Sequence, residues 1–339
     1  MSEQVPEQGA PTPLEAQEQL EQALFEIRRV IAGQDAMLER VLVCLLAQGH
    51  LLIEGVPGLA KTLTIKTTAG VLGGTFARVQ FTPDLVPSDL VGTRIYRATD
   101  GKFETELGPV FCNFLLADEI NRAPAKVQSA LLEVMQERQV TIGHDTHPVP
   151  EPFLVMATQN PIESEGTYPL PEAQIDRFML KVVIGYPRHD EELTVVQRQL
   201  VEAPELRQAL SLEDLGALQR AVNEIYVDPS LVSYAVDLAT ATREPVQRGL
   251  VDLAPYIAYG ASPRGPISLV QGARALALIR GREYALVEDV QALAFDALRH
   301  RLVLSYQALA EEVSPDTILD QVLNAVPAPH LDLARVSAA

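Results

Sequence analysis

The sequence contains no tryptophan and only two cysteines. Cys44 and Cys112 each lie inside an apolar segment, so we expect reduced core residues and neither a disulfide nor a metal framework. Apolar runs are also short: residues 41–47 fall far below the roughly 18 residues that a membrane-spanning helix needs. The N-terminus lacks a basic segment followed by an apolar stretch, the mark of a signal peptide. These absences predict a cytoplasmic protein without membrane insertion.

Lysine is scarce, since it occurs only at positions 61, 66, 102, 126 and 181. Lysine and arginine together number 27 against 45 aspartates and glutamates, which gives a formal net charge of −18. A surface of this sign argues against nucleic acid or anionic lipid as the general partner, although a local basic patch stays open. The 339 residues, 47% of them hydrophobic, are enough for about two domains with buried cores.

The chain divides into four predicted parts. Residues 1–13 form a loose tail, 14–187 an α/β domain, 188–325 a smaller all-helical domain and 326–339 a second tail. In the α/β domain, strands alternate with helices, which predicts a parallel sheet with helices on both faces.

The predicted elements of the α/β domain follow from apolar runs and helical spacing. The predicted strands are residues 50–54, 77–81, 110–117 and 153–157, and the predicted helices are residues 14–32, 35–48, 61–71, 123–137 and 172–177. Two hairpins interrupt the alternation, one at about 93–106 and one at about 139–149. Residues 189–322 are predicted to be helical, apart from a turn-rich break at 254–266.

The strongest motif lies between an apolar strand and a helix and reads Gly55-Val56-Pro57-Gly58-Leu59-Ala60-Lys61-Thr62. It matches the pattern of phosphate-binding turns, in which backbone N–H groups and a helix N-terminus hold phosphate oxygens. We predict that these residues and Leu63 bind a nucleotide, with Lys61 on the β- and γ-phosphates and the Thr62 hydroxyl on Mg²⁺. Ala60 stands where glycine is usual. The alternative is an ordinary glycine-rich turn with a surface lysine.

Two further apolar strands end in polar side chains. Asp118 and Glu119 follow one of them, and Asn160 follows the other. Because the carboxyl ends of parallel strands share one sheet edge, all three are expected beside the phosphates. Asp118 would hold Mg²⁺, partly through water, Glu119 would orient the attacking water, and Asn160 would bind that water or the γ-phosphate. The alternatives are a helix cap for the acids and a turn residue for Asn160.

Together these motifs resemble the AAA+ ATPases, and specifically the MoxR family, over about residues 14–325. The residues that carry the resemblance are Gly33-Gln34, the loop 55–62, and the segments 117–124 (ADEINRAP), 157–161 (ATQNP), 171–178 (PEAQIDRF) and 260–264 (GASPR). The resemblance implies an α/β nucleotide domain followed by a helical lid. It also implies a ring, usually a hexamer, with ATP between neighbouring subunits.

The resemblance also implies individual roles. Asn160 is the expected sensor, Gly33 and Gln34 lie where such proteins hold the adenine, and Arg177 is the expected arginine finger on the neighbour's γ-phosphate. Arg264 is expected to contact, from the lid, the phosphates bound by its own subunit. Without the resemblance, the simpler interpretations are an ion pair of Arg177 with Asp176 or a surface acid, and an Arg264 that covers a turn. Arg122 is a further candidate for reaching across the subunit boundary.

Three functions are open at this point. The first is a chaperone-like ATPase that matures or assembles client proteins, for example by metal or cofactor insertion, with a von Willebrand factor A domain partner and hairpins that face the ring pore. The second is a nucleic-acid motor, for which the first hairpin offers Arg94, Arg97 and Lys102. The third is a nucleotide-gated switch without hydrolysis. The cluster 299–301 (RHR) is interpreted as compensation of a helix dipole.

Overall fold

The computed structural model describes residues 10–56, 59, 61–99, 101–160, 167–201 and 204–331. Most of the two predicted tails, namely 1–9 and 332–339, lies outside the described residues, as do Pro57, Gly58 and Ala60 of the phosphate loop. The strands are β1 (Leu51–Gly55), β2 (Phe76–Gln80), β3 (Gly92–Arg97), β4 (Lys102–Leu107), β5 (Phe114–Asp118), β6 (Gln139–Ile142), β7 (Asp145–Pro148), β8 (Leu154–Gln159), β9 (Leu180–Ile184), β10 (Ile257–Tyr259) and β11 (Val303–Leu304).

The helices begin and end close to their predicted limits where caps or apolar periodicity define them. They are α1 (Pro13–Val30), α2 (Asp35–Leu46), α3 (Lys61–Val71), α4 (Pro87–Val91), α5 (Ala125–Glu137), α6 (Glu172–Ile175), α7 (His189–Gln199), α8 (Leu212–Glu224), α9 (Pro229–Arg243), α10 (Arg264–Ile279), α11 (Val287–Leu298), α12 (Tyr306–Ala310) and α13 (Pro315–Ala325). Thr12 caps α1 and Ser211 caps α8, each with an acid three residues on that returns a bond to the cap.

Among the described residues, five strands form one parallel sheet in the order β2-β5-β8-β1-β9. Alternate residues point to opposite faces, since Leu51 and Ile53 pack on one side with α1, α2 and α3 while Leu52 packs on the other with α5. The predicted α/β class with a parallel sheet is therefore confirmed. The sheet order places the carboxyl ends of β1, β8 and β5 side by side.

Three predictions about the elements were wrong. The predicted strand 110–117 starts only at Phe114, because the preceding residues turn and the Asn113 side chain accepts from the backbone N–H and hydroxyl of Thr75. Strand β9 was missed, since its apolar run is short and interrupted by Lys181. Residues 189–322 are not all helical outside the predicted break: β11 lies there and pairs antiparallel with β10, which lies inside the break.

The helices after α7 pack directly on the α/β part. Helix α10 lies against α1 and α2, and α11 lies against β9, so one apolar cluster contains side chains from both parts. Gly272 of α10 lies close to the α/β part, because a Cβ there would come within 3.4 Å of the Met179 methyl carbon and 3.5 Å of a Val43 methyl carbon. The predicted division at 187–188 stays a prediction, since the core continues across it.

Two hairpins project from the sheet as predicted. The β3–β4 and β6–β7 pairs are both antiparallel. Tyr96 and Phe103 lie opposite each other on the first hairpin, with ring centroids 5.2 Å apart and side chains 57% and 60% exposed. His144 lies in the exposed turn of the second. No group of three or more metal-ligating side chains occurs within the described residues.

The cysteines are free and buried, as predicted. Burial raises the pKa of the Cys112 thiol to about 12 and also raises that of Cys44, so both stay protonated and unreactive at neutral pH. In the part of the chain that the structure describes, no helix has the length and apolarity to cross a membrane.

Candidate active site

The phosphate loop connects β1 to α3, as its sequence predicts. Gly55 ends β1 against β9, where a Cβ would lie only 2.7 Å from the backbone oxygen of Ile184. A larger residue would therefore push two paired strands apart. Lys61 is the first residue of α3, and its ammonium donates to the Gly55 backbone oxygen at 2.7 Å. The lysine is thus folded back over its own loop.

Lys61 is half buried beside two acids. Burial lowers the pKa of the ammonium, and the negative charges of Asp118 and Glu119 act in the opposite direction. The N-terminus of α3 points to the same place and adds partial positive charge. Both features favour an anion near Lys61.

Asp118 ends β5 and has a partner for each carboxylate oxygen. The Thr158 hydroxyl donates to Oδ1 at 2.6 Å, and the Arg78 guanidinium donates to Oδ2 at 2.6 Å. Arg78 extends from β2, the strand next to β5 in the sheet. The carboxylate is therefore held in one orientation by two neighbouring strands.

Glu119 follows directly in a left-handed backbone conformation, with φ of 57°. Its backbone N–H donates to the Thr158 hydroxyl oxygen at 2.8 Å, so that one hydroxyl fixes both acids. The Gln80 amide donates to the Glu119 carboxylate at 2.7 Å, and Arg122 lies 3.1 Å from the same oxygen. Arg122, considered for a role across a subunit boundary, thus pairs with an acid of its own chain.

These side chains surround one open cleft of about 440 Å³. Its described lining consists of Gly55, Leu59, Lys61, Thr62, Leu63, Arg78, Gln80, Asp118, Glu119, Thr158 and Asn160. The structure therefore brings together the predicted loop, the two acids and the candidate sensor. Sequence analysis missed Arg78, Gln80 and Thr158, although positions 78 and 80 alternate on a predicted strand and so share a face.

Gly33 and Gln34 lie outside this lining, as does Val56. Both residues of the pair adopt left-handed conformations, with φ of 68° and 62°. The turn packs on α7, where a Cβ at Gly33 would come within 3.1 Å of the Glu191 carboxyl carbon. The pair therefore joins α1, α2 and α7 near the boundary of the two predicted domains.

Arg177 lines a second cleft, of about 560 Å³, which shares no described lining residue with the first. The described lining consists of Ser129, Glu133, Gln136, Glu137, Gln139, Thr141, Gln174 and Arg177. The guanidinium makes no hydrogen bond or ion pair with the residues that the structure describes. The simpler interpretation of an Arg177–Asp176 ion pair is wrong, because Asp176 binds Arg301 and Ser262 instead.

The sequence matches the ATPase family associated with various cellular activities (AAA) over residues 50–180 and the AAA lid domain over residues 252–322. It is 57% identical to Chaperone MoxR1 of Mycobacterium tuberculosis, over 92% of this chain and 83% of that protein. Protein MoxR of Methylorubrum extorquens is 31% identical, over 90% of this chain and 93% of its own. The chain belongs to the MoxR family of AAA+ ATPases.

A solved structure from Cytophaga hutchinsonii, described as that of an ATPase, has the same fold. It superimposes with a TM-score of 0.89 at 46% identity and covers 94% of this chain and 97% of its own. YeaC of Bacillus subtilis is 43% identical over 91% of this chain and 95% of that protein. The α/β nucleotide domain with a helical lid is thus the architecture of this MoxR protein.

The lid of this MoxR chain places Arg264 away from the Lys61 cleft. Arg264 is exposed at the start of α10, and its backbone N–H donates to the Ser262 hydroxyl oxygen at 3.2 Å. That hydroxyl lies 2.8 Å from both carboxylate oxygens of Asp176, next to Arg177. None of the described residues that line the Lys61 cleft belongs to the lid. The position of Arg264 therefore does not support contact with the phosphates of its own subunit.

The basic cluster 299–301 has a different role from the one predicted. Arg299 pairs with Asp296 and Asp316, and Arg301 is buried and pairs with Asp176. The Arg301–Asp176 pair and a bond from Arg299 to the Lys181 carbonyl at 3.1 Å join the lid to the α/β domain, so dipole compensation is not the main role of the cluster. No local pattern indicates this contact, because the partner of Arg301 lies 125 positions away in the sequence.

The oxygen atoms that line the Lys61 cleft suit a Mg²⁺ ion that is bound mainly by water and phosphate. Thr62, Asp118 and Glu119 supply side-chain oxygens beside the lysine, and both Asp118 oxygens already accept hydrogen bonds. Mg²⁺ commonly binds through one or two protein oxygens and keeps several waters. The site therefore suits a magnesium–nucleotide complex better than a bare ion.

Proposed function

We propose that this MoxR-family chain hydrolyses ATP with Mg²⁺ in the Lys61 cleft. The observation that carries the proposal is the Thr158 hydroxyl, which fixes Asp118 and Glu119 together opposite Lys61. Phosphoryl transfer needs mainly positioning and neutralisation of charge, and a preorganised cleft supplies both.

The proposed roles follow from position in the cleft. Lys61 neutralises the β- and γ-phosphates, and the loop residues Gly55, Leu59, Thr62 and Leu63 surround them. Thr62 and Asp118 would hold Mg²⁺, which supplies charge neutralisation when bound. Glu119 orients the attacking water and accepts its proton, while Gln80 and Arg122 hold that carboxylate in place. Asn160 binds the γ-phosphate or the water.

The remaining nucleotide contacts are proposed on sequence. Gly33 and Gln34 contact the adenine, and Val56, Pro57, Gly58 and Ala60 complete the phosphate loop. Support for the loop comes from its ends: Gly55 and Lys61 are joined by a hydrogen bond of 2.7 Å, which closes the turn.

We further propose a homo-oligomeric ring, with six subunits, in which Arg177 completes the neighbour's site. Support comes from the separation of the two clefts and from the guanidinium, which has no bonding partner among the described residues of its own chain. An arginine held near a partner's phosphate can stabilise the charge of the transition state. Its cleft also contains Glu133 and Glu137, which favour a cationic neighbour surface.

The biological role that we propose is chaperone-like remodelling of a protein client, together with a von Willebrand factor A domain protein. A relative at 57% identity is named a chaperone. The exposed Tyr96 and Phe103 of the first hairpin offer apolar contacts to a client. The alternative of a nucleic-acid motor has less support, because two cations of this hairpin already have partners. Arg97 pairs with Glu104, and Arg94 lies over the Phe103 ring.

The decisive experiment measures phosphate release and ATP binding for the wild type and Glu119→Gln. We expect slow turnover in the wild type and turnover lowered by about 100-fold or more in the variant, because the attacking water is no longer oriented, with ATP still bound. Glu213→Gln, at an exposed position of α8, is the matched control and should turn over like the wild type. Equal turnover of Glu119→Gln and wild type would refute the proposed role of Glu119, whereas ATP binding without turnover in either protein would favour a nucleotide-gated switch.

The shared site is tested by mixing. Arg177→Ala and Glu119→Gln proteins, each inactive alone, should regain part of the activity together, because some interfaces then combine an intact finger with an intact cleft. The control mixture combines Glu119→Gln with Arg248→Ala, a surface variant in which Arg177 and the cleft are both intact. Its activity is the value expected when intact clefts are diluted with inactive Glu119→Gln subunits. No recovery in the first mixture would exclude a shared site. Salt-dependent DNA or RNA binding would instead support the nucleic-acid motor.

A further inference from the structure

Arg301 is the most buried cation that the structure describes in the lid. It follows α11, and only 1% of its side chain is exposed. The guanidinium donates from Nε to Asp176 Oδ1 at 2.8 Å, an ion pair between the lid and the α/β domain. Burial lowers the pKa of Arg301 to about 10, while Asp176 opposes that effect, so the side chain is charged at neutral pH.

The remaining donors of Arg301 bind backbone carbonyls of the α/β domain as well as two acceptors within the lid, the Ala297 carbonyl and the Ser268 hydroxyl. They reach the carbonyl oxygens of Asp176 at 3.1 Å, Phe178 at 2.8 Å and Met179 at 3.2 Å. His300 adds a bond from Nε2 to the Phe178 carbonyl at 3.0 Å. These carbonyls lie on both sides of Arg177. The lid therefore fixes the backbone that carries the proposed arginine finger.

Local structure around Arg177 is too short to do this alone. Helix α6 is a single turn that ends at Ile175, and such a turn has little stability without tertiary contacts. The Arg177 backbone N–H bonds only within that turn, to the Gln174 carbonyl at 3.2 Å. The planar guanidinium of Arg301, with five donors in fixed directions, is suited to holding several acceptors at once.

The same acid connects to the second proposed arginine. Ser262 donates to the Asp176 carboxylate and accepts from the backbone N–H of Arg264. Since Asp176 is occupied by Ser262 and Arg301, it does not neutralise the adjacent Arg177. The junction thus leaves both arginines available while it fixes their backbones.

We propose that Arg301 is a positioning residue for the arginine finger, through which the lid controls ATP hydrolysis in the neighbouring subunit. The proposal rests on the proposed role of Arg177. Movement of the lid would shift the carbonyls of Asp176 and Phe178, and with them the guanidinium between. A displacement of about 1 Å at a reacting group can cost about 100-fold in rate.

The test uses Arg301→Lys in the full chain, because lysine keeps the charge but has a single donor nitrogen. We expect kcat to fall by about 10- to 100-fold while KM for ATP changes by less than about twofold, because the variant's own cleft is unaltered. Arg282→Lys is the matched control: Arg282 also forms a two-pronged contact with a buried lid acid, Asp289, but does not touch residues 176–179. It should lose stability and keep kcat.

Mixing separates finger from cleft. Arg301→Lys mixed with Glu119→Gln should regain activity, whereas Arg301→Lys mixed with Arg177→Ala should not, because both lack a working finger. Wild-type kcat in Arg301→Lys, or recovery with Arg177→Ala and not with Glu119→Gln, would overturn the proposal. If Arg301→Lys does not fold, Asp176→Asn removes the same ion pair with little change of shape, and the same outcomes apply to it. Wild-type turnover in Arg177→Ala would instead refute the finger itself.

Discussion

The Lys61 cleft and the surface that carries Arg177 and Arg264 differ in how their charges are satisfied. In the cleft, Lys61, Asp118 and Glu119 all bond within the chain. On the other surface, the two guanidiniums have no hydrogen bond or ion pair with any residue that the structure describes, although Asp176 lies next to Arg177. The side chains of the cleft are therefore held in place by bonds within the chain. The donors of the two guanidiniums are not used by the described residues and could bind a group that lies outside the cleft of their own chain.

The difference shows how one acid can serve two purposes. Asp176 stabilises the buried charge of Arg301, since a buried cation without a partner is strongly unfavourable. In doing so it becomes unavailable to Arg177. The same junction therefore joins the lid to the α/β domain and leaves Arg177 without an ion pair to its neighbour Asp176.

The largest effect is expected when the cleft side of the comparison is broken by Lys61→Met. Methionine keeps much of the packing but removes the charge that faces the phosphates, so ATP affinity should fall by about 100-fold and hydrolysis should become undetectable. Titration with a fluorescent ATP analogue and phosphate release measure the two effects. Lys66→Met, on the exposed side of the same helix, is the matched control and should behave as wild type. Unchanged affinity in Lys61→Met would contradict the assignment of the cleft.

A smaller effect on turnover is expected from a substitution on the surface that carries Arg177 and Arg264. Arg264→Ala should retain ATP affinity within about twofold and lose about 10- to 100-fold in kcat, because Arg264 does not line its own cleft and its backbone is joined through Ser262 to Asp176, the residue before Arg177. Mixed with Glu119→Gln it should regain activity, and mixed with Arg177→Ala it should not. The opposite pattern would show that Arg264 acts on the nucleotide of its own subunit, as the sequence led us to expect.

The sequence predicts the cleft well for a physical reason. Glycines, a lysine and a hydroxyl at fixed spacing form a local structure, and Asp118, Glu119 and Asn160 follow strands whose ends meet in any parallel sheet. The sequence does not predict the roles of Arg78 and Gln80, because these roles depend on the long-range pairing of β2 with β5. The order of strands in a sheet cannot be predicted from any single segment of the sequence.

The lid junction shows the limit more clearly. Arg299, His300 and Arg301 look alike in the sequence, as basic residues near a helix end. Their differences come from distant partners: Asp316 for Arg299, the Phe178 carbonyl for His300, and Asp176 for Arg301. Burial of a charge is decided by the packing of two domains, so a local pattern cannot distinguish a solvated arginine from one that holds the finger.

The smallest expected effect is a change in how stability depends on pH, and it concerns a buried histidine directly before β1. His50 precedes β1, accepts at Nδ1 from the Val155 backbone N–H at 3.1 Å and therefore donates from Nε2 to the Met135 carbonyl. Burial, with the nearby charge of Arg138, lowers the pKa of His50 to about 3. Below pH of about 6.5 the unfolded chain takes up a proton that the folded chain refuses, so stability falls as pH decreases toward 3.

This effect should reach about 1.4 kcal/mol per pH unit for His50. The free energy of unfolding of His50→Gln, measured by urea denaturation between pH 7 and 5, should decrease less with acid than that of the wild type, because glutamine can donate and accept without titrating. His144→Gln, in the exposed turn, is the control and should follow the wild type. His300, buried in the lid junction with its pKa also lowered by burial, keeps its own share of the acid sensitivity. A slope in His50→Gln equal to that of the wild type would show that His50 does not contribute to the acid response.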